Sequence, residues 1–166
     1  MLETESLCFS GHQAAKVVGI TYRQLDYWAR TDLVRPSIAD AKGSGSQRQY
    51  SYQDLLKLKL IKQLLDQGLT LQAVRSALES LSRLDDLADN PPQLVIVGNG
   101  KTIFAKDGDN LVDLMNGNQM AFSMLLSVGK IRDGLDAEIV HFANSEGKSV
   151  ESFAATNNVE TLRASS

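Results

Sequence analysis

One cysteine, two histidines and three prolines are all that the 166 residues hold of the types that cross-link, ligate metal or stiffen loops. Cys8 alone permits neither an internal disulfide nor a thiolate pair, which excludes redox sensing through an internal bridge. His12 and His141 lie far apart and, with Cys8, offer no pair at ligand spacing, so neither a metal nor another cofactor is expected. No run approaches the ~18 apolar residues of a membrane span. The opening MLETESLCFS has neither a basic nor an apolar leader segment, and the expectation is a cytoplasmic protein with no membrane partner. The chain is too short for a barrel enzyme or a two-domain dehydrogenase, and at about 150 residues per domain it makes one medium domain or two small ones. Its 43% hydrophobic and 22% charged residues are ordinary globular composition, which excludes wholesale disorder.

The net charge of −3 taken alone argues against a nucleic-acid binder, but it hides an asymmetry. Through Arg83 the balance is +3, from 11 basic and 8 acidic residues; from Leu84 onward it is −6. Within Phe9 to Lys62 it reaches +5, an electrostatic footprint suited to phosphate contacts.

Turn chemistry divides the chain. Ser10 with Gln13 three residues on has the form of a capping box, and Gly19 closes the short helix it would start. Thr21 with Gln24 repeats the device for a helix to about Arg30, with Leu25, Trp28 and Ala29 on one face. Two short helices three residues apart predict a helix-turn-helix. In VRPSIADAKGSGSQRQYSY, Pro36 stops helix and Gly43 to Ser46 form a tip between two short extended arms, the pattern of a wing. Ser51 with Asp54 starts a third helix with a stripe of Leu55, Leu58, Ile61 and Leu65, ended by Gly68. Thr70 caps a fourth, which fades in an acidic run before Pro91 and Pro92.

Beyond that point LVIV and TIFA flank Gly98-Asn99-Gly100 and predict a hairpin. A helix is expected from about Asp109 to Asn116, then a strand in MAFSMLLSV, then a last helix carrying Ile131, Leu135 and Ile139. The expected class is α/β of the α+β kind. Residues 1–90 form a winged helix-turn-helix domain, 91–143 a small α/β domain for dimerisation or effector binding (hairpin, helix, strand, helix), and 144–166 a disordered tail. A cut near Asn90 is expected to leave a folded but weakly binding monomer.

Nothing in the sequence points to an enzyme. GNGKT resembles the end of a phosphate-binding loop, but the position that needs the first glycine is Val95. The carboxylate pairs Asp107/Asp109 and Asp133/Asp136 fall where exposed turns and helix faces are expected. The informative constellation is in the first half. Tyr22 and Arg23 stand in the first turn of the second helix, where Arg23 can bridge two acceptors on guanine and a tyrosine hydroxyl suits phosphate oxygen. Trp28 is expected in the core, and Tyr27 either at the core edge or on the DNA backbone. Arg48 and Tyr50, two apart on the arm returning from the wing tip, share a face if that arm is a strand and can grip one phosphate stretch together. Thr21, Gln24, Arg35 and Lys57 complete the expected DNA-binding set.

GITYRQLDYWARTDLVRP, SQRQYSYQDLLKLKLIKQLLDQG and LTLQAVRSAL together resemble, from Phe9 to about Leu81, the DNA-binding domain of MerR-type transcriptional regulators. The QLDYWAR wording and the GSGSQR wing further resemble actinobacterial regulators of the FtsR kind, linked with cell-division gene control, and this likeness continues more weakly to about Phe142. The resemblance implies a homodimer on a two-fold promoter operator in double-stranded DNA, with RNA polymerase as a further partner. Many proteins of the family have arginine where Asp26 stands, and a carboxylate there would repel the DNA backbone. The long coiled-coil helix that joins many family protomers does not fit SRLDDLADNPP, so the second half is the expected site of dimerisation. The alternatives are a monomeric excisionase-like or architectural winged helix and, behind it, a small-molecule binding module.

Overall fold

The computed structural model describes residues 6–39, 47–81, 93–97, 102–107, 110–113 and 122–154. Helix α1 (Gly11–Val18) opens on Ser10, whose hydroxyl accepts from the Gln13 amide at 3.3 Å while its own amide donates to the Gln13 side chain at 2.9 Å. Gly19, with φ of 83°, ends it in the left-handed turn that a residue without a β-carbon adopts freely, and its N–H returns to Ala15 at 2.9 Å. Thr21 opens α2 (Tyr22–Arg30) by the same reciprocal bonds with Gln24, at 3.1 and 3.0 Å. Only Gly19 to Thr21 separate the two helices, and Leu25, Trp28 and Ala29 form the buried face of α2, as the periodicity predicts.

The arms of the wing pair where expected. Gln49 donates to the Ala39 carbonyl at 2.7 Å and its carbonyl accepts from Ile38 and Ala39 at 3.2 Å; the expected tip lies outside the described residues. Strand β2 (Gln49–Ser51) also pairs antiparallel with β1 (Cys8–Ser10), placing Phe9 opposite Tyr50, a strand the sequence reading lacks. Ser51 and Asp54 exchange backbone and side-chain bonds at 3.0 and 3.2 Å and start α3 (Tyr52–Asp66). This helix buries Leu55, Leu56, Leu58, Leu60, Ile61 and Leu64, a wider face than the expected stripe, from which Leu65 falls out half-buried. A helix apolar around so much of its circumference is a buried one. Thr70 accepts from the Ala73 amide at 3.2 Å and caps α4 (Leu71–Leu81).

The chain forms two compact units, one from residues 1–58 and 134–166 and the other from 59–133. The second holds a four-stranded antiparallel sheet in the order β5-β4-β3-β6, from β3 (Gln93–Val97), β4 (Thr102–Asp107), β5 (Asn110–Asp113) and β6 (Phe122–Ser127). The hairpin of LVIV and TIFA is present as β3 and β4, with Val95 opposite Phe104. The helix expected from Asp109 is not: residues 110–113 pair with β4 from Asp107 back to Phe104, and the rest of that expectation lies outside the described residues. Eight residues are too few to repay helix nucleation unaided, whereas an open strand edge satisfies backbone groups one residue at a time.

Helix α5 (Val128–Ser145) follows β6 and contains the predicted Ile131, Leu135 and Ile139, all buried. Its greater part belongs to the first unit, and so does a 3-10 turn, Val150–Phe153. This differs from the expected domain limits and from a loose tail beginning at residue 144. The reason is aromatic burial: Phe153 stacks on Phe9 at 5.4 Å between centroids and meets Phe142 at 5.6 Å, while Ala154 bridges Leu7 antiparallel. The Tyr52 hydroxyl donates to the Asp136 carboxylate, and Lys16 Nζ lies 5.5 Å over the Phe142 ring. Residues 155–166 lie outside the described residues. Among the described residues no helix is long and apolar enough to cross a membrane.

Candidate nucleic-acid interface

Because Leu25, Trp28 and Ala29 are turned inward, the other side of α2 is set outward as a consequence of one helical repeat. Tyr22, Arg23 and Tyr27 are exposed there, the tyrosines at 45% and 49%. Arg23 and Tyr27, four apart, share a face, and Asp26 and Arg30 sit on the same side. Tyr27, left between core edge and backbone contact by sequence, is therefore a surface residue. Thr21 and Gln24 are also exposed, but both spend polar groups on the cap, which leaves the Gln24 amide N–H groups for anything outside.

Asp26 is the feature that the sequence reading misjudged. Its carboxylate accepts from Arg48 at 2.7 Å and pairs with Arg30 at 2.9 Å, so one negative charge sits between two guanidiniums and the cluster is net positive. The Arg48 hydrogen bond holds the Asp26 carboxyl below its ordinary range, against the opposing effect of burial and with help from Arg30. The same bond raises the Arg48 guanidinium, whose side chain is only 14% exposed. Repulsion of a DNA backbone by a bare carboxylate is thus not what this surface presents. A carboxylate within a basic segment was the available signal: a basic segment carrying an isolated acid often pairs it internally.

The expected joint grip of Arg48 and Tyr50 does not form. Tyr50 is 0% exposed, its strand pairing with Phe9 of β1 turning the ring into the core, and it has no surface to offer a phosphate. Arg35 is exposed and ion-paired with Asp32, a residue in the left-handed backbone region at φ 60°. Lys57 is half-buried on α3. The arms of the wing are anchored instead by Asp54, a buried carboxylate accepting from the Ser37 amide at 2.7 Å, the Ser37 hydroxyl at 2.7 Å and the Ser51 amide at 3.0 Å. Three donors on one carboxylate compensate its loss of water and tie both arms of the wing to the first turn of α3.

A second feature that sequence reading missed lies beside Tyr22. The His12 imidazole stacks on the Tyr22 ring with centroids 4.2 Å apart and planes 13° apart. Cys8, considered above only as a thiol, is buried and donates to the Gln49 side chain at 3.0 Å. Among the described residues no three His, Cys, Asp or Glu side chains are grouped to hold a metal ion.

Residues 9–81 match the MerR HTH family regulatory protein. Over 154 residues the chain is 42% identical to proteins named uncharacterized HTH-type transcriptional regulators in Mycobacterium bovis and in two strains of Mycobacterium tuberculosis. The alignment covers 91% of this chain, and the chain spans 66% of the length of those relatives.

Proposed function

Because the chain belongs, through residues 9–81, to the MerR HTH regulatory-protein family, we propose that it is a sequence-specific DNA-binding regulator of transcription. The observation that carries this reading is the outer face of α2, where Tyr22, Arg23 and Tyr27 are exposed and Asp26 is neutralised from both sides. Helix α2 enters the major groove, Arg23 reads base edges, and the tyrosine hydroxyls meet phosphate oxygens. Thr21 and Gln24 frame the approach, and Arg35 and Lys57 add positive charge along the backbone. Arg48 contributes by holding the wing to α2 instead of gripping a phosphate.

The reading extends to a homodimer on a two-fold promoter operator, since one winged helix makes few contacts and a second, tethered copy docks in an effectively intramolecular step. The region 91–133 is the proposed site of pairing, RNA polymerase the further partner, the cytoplasm the location, and cell-division promoters the targets suggested by the FtsR-like wording. Selection of bound genomic fragments followed by footprinting tests the targets, the site symmetry and the promoter position together. A protected inverted repeat near promoters supports the reading; a single unpaired half-site, with a monomer mass in solution, supports the architectural alternative; and no enrichment of any sequence defeats both.

A further inference from the structure

The His12–Tyr22 stack lies outside every role considered so far. Both side chains are exposed, so hydrophobic burial alone does not account for their parallel contact. Tyr22 is the first residue of α2, a position where a large exposed ring has several rotamers open to it. Here two neighbours on α1 restrict it. His12 covers one face, and the backbone of Gly11 passes so close that a β-carbon there would lie 3.0 Å from Tyr22 Cε2. A side chain at this position would oblige the ring to give by a few tenths of an ångström.

We propose that His12 is a positioning residue for DNA binding: its imidazole holds the Tyr22 ring in the pose in which the phenol meets the DNA backbone. The proposal rests on the reading of α2 as the DNA-facing helix. Its physical basis is preorganisation, because a side chain already fixed in its bound rotamer loses less freedom on binding than a mobile one. An aromatic pair of this geometry, added to the rotamer freedom it removes, is worth about 3- to 10-fold in affinity. The imidazole acts through its flat face, so a phenyl ring can replace it and a methyl group cannot.

The test uses the full chain and an operator obtained by genomic selection, with dissociation constants measured by fluorescence anisotropy at several salt concentrations. The variants are His12→Ala, His12→Phe, Gly11→Ala, Tyr22→Ala and the double variant His12→Ala with Tyr22→Ala. His12→Ala is expected to weaken operator binding about 3- to 10-fold, and His12→Phe to restore it to within about 2-fold of the parent. Gly11→Ala removes no group that faces DNA and favours the helix, yet it displaces the ring, so it should lower affinity without lowering the melting temperature. In the Tyr22→Ala background, His12→Ala should add nothing. In the free protein, the ring protons of His12 should show an upfield NMR shift that Tyr22→Ala abolishes. The proposal fails if His12→Ala binds like the parent, if His12→Phe does not rescue, or if His12→Ala costs as much without Tyr22 as with it, which would make His12 a direct contact. If the parent shows no salt-dependent binding to duplex DNA, the reading of α2 itself falls and takes the proposal with it.

Discussion

The Arg48 guanidinium donates to the Asp26 carboxylate at 2.7 Å and thereby joins the returning arm of the wing to the outer face of α2. The bond spans 22 residues of sequence and fixes the angle between the two elements that a winged helix offers to a duplex. Removing Arg48 leaves the part-buried Asp26 carboxylate with Arg30 as its remaining basic neighbour, and removing Asp26 takes from the Arg48 guanidinium its carboxylate acceptor.

Arg48→Ala is accordingly expected to lower stability by about 1–3 kcal/mol, the range for hydrogen bonds to charged groups. It should weaken binding to all DNA sequences alike through the loosened wing. Urea denaturation and titration of specific and unrelated duplexes check the two effects. Undiminished stability with a loss confined to the operator would show that Arg48 reads bases.

The pair should also make the protein acid-sensitive. The folded Asp26 carboxyl lies below its ordinary range, chiefly through Arg48. Its contribution to stability is therefore fully present above the unfolded value of about 3.9 and is lost as pH falls through the lower folded value. Asp26→Asn should be less stable than the parent at pH 7, and the difference should shrink as the pH is taken below the unfolded value of about 3.9. Urea midpoints of both proteins at pH 7 and at a series of lower pH values test this, and a constant difference would exclude the mechanism.

Arg23 is exposed on α2 and fills no structural role among the described contacts. Arg23→Ala should leave the melting temperature unchanged and relax base choice at one or two operator positions, each worth about 1–3 kcal/mol of discrimination. Selection from a randomised operator library, compared with the parent, measures it.

Phe153 holds Phe9 and Phe142 together at the centre of the first unit. Phe153→Ala should cost about 3 kcal/mol or more, and a chain cut near Asn90 should fail to fold as an independent DNA-binding domain. A dispersed amide NMR spectrum from the 1–90 fragment would contradict this.

Gly134 lies inside α5 with nothing within 4 Å of the position a β-carbon would take. Gly134→Ala should raise stability by about 0.5–1 kcal/mol, seen as a higher melting temperature.

What was legible in the sequence follows the range of the interactions involved. The caps at Ser10, Thr21, Ser51 and Thr70 act within three residues, and each helix start was readable from them. The burial of Trp28 followed from helical spacing. Long-range pairings were not readable. The strand β1, the inward turn of Tyr50 and the stacking of Phe153 on Phe9 depend on partners 39 or more residues away, and a polar-looking tail gives no local sign that one phenylalanine will anchor it. At Asn110–Asp113 local spacing favoured a helix, and an available strand edge decided otherwise.

The first unit is built from two stretches, residues 1–58 and 134–166, with the whole of 59–133 between them. On the ribosome the helix-turn-helix emerges early, but Phe9 and Tyr52 wait for Phe153 and Asp136 to be synthesised. At about 5–20 residues per second that interval is roughly 5–20 s. During it the nascent chain carries an incomplete core, open to chaperones and unable to hold the wing arms and α2 on a finished scaffold. Its DNA-binding surface is thus assembled only after residue 153 has been made, so a chain terminated before that point would be cleared as misfolded instead of competing for operators.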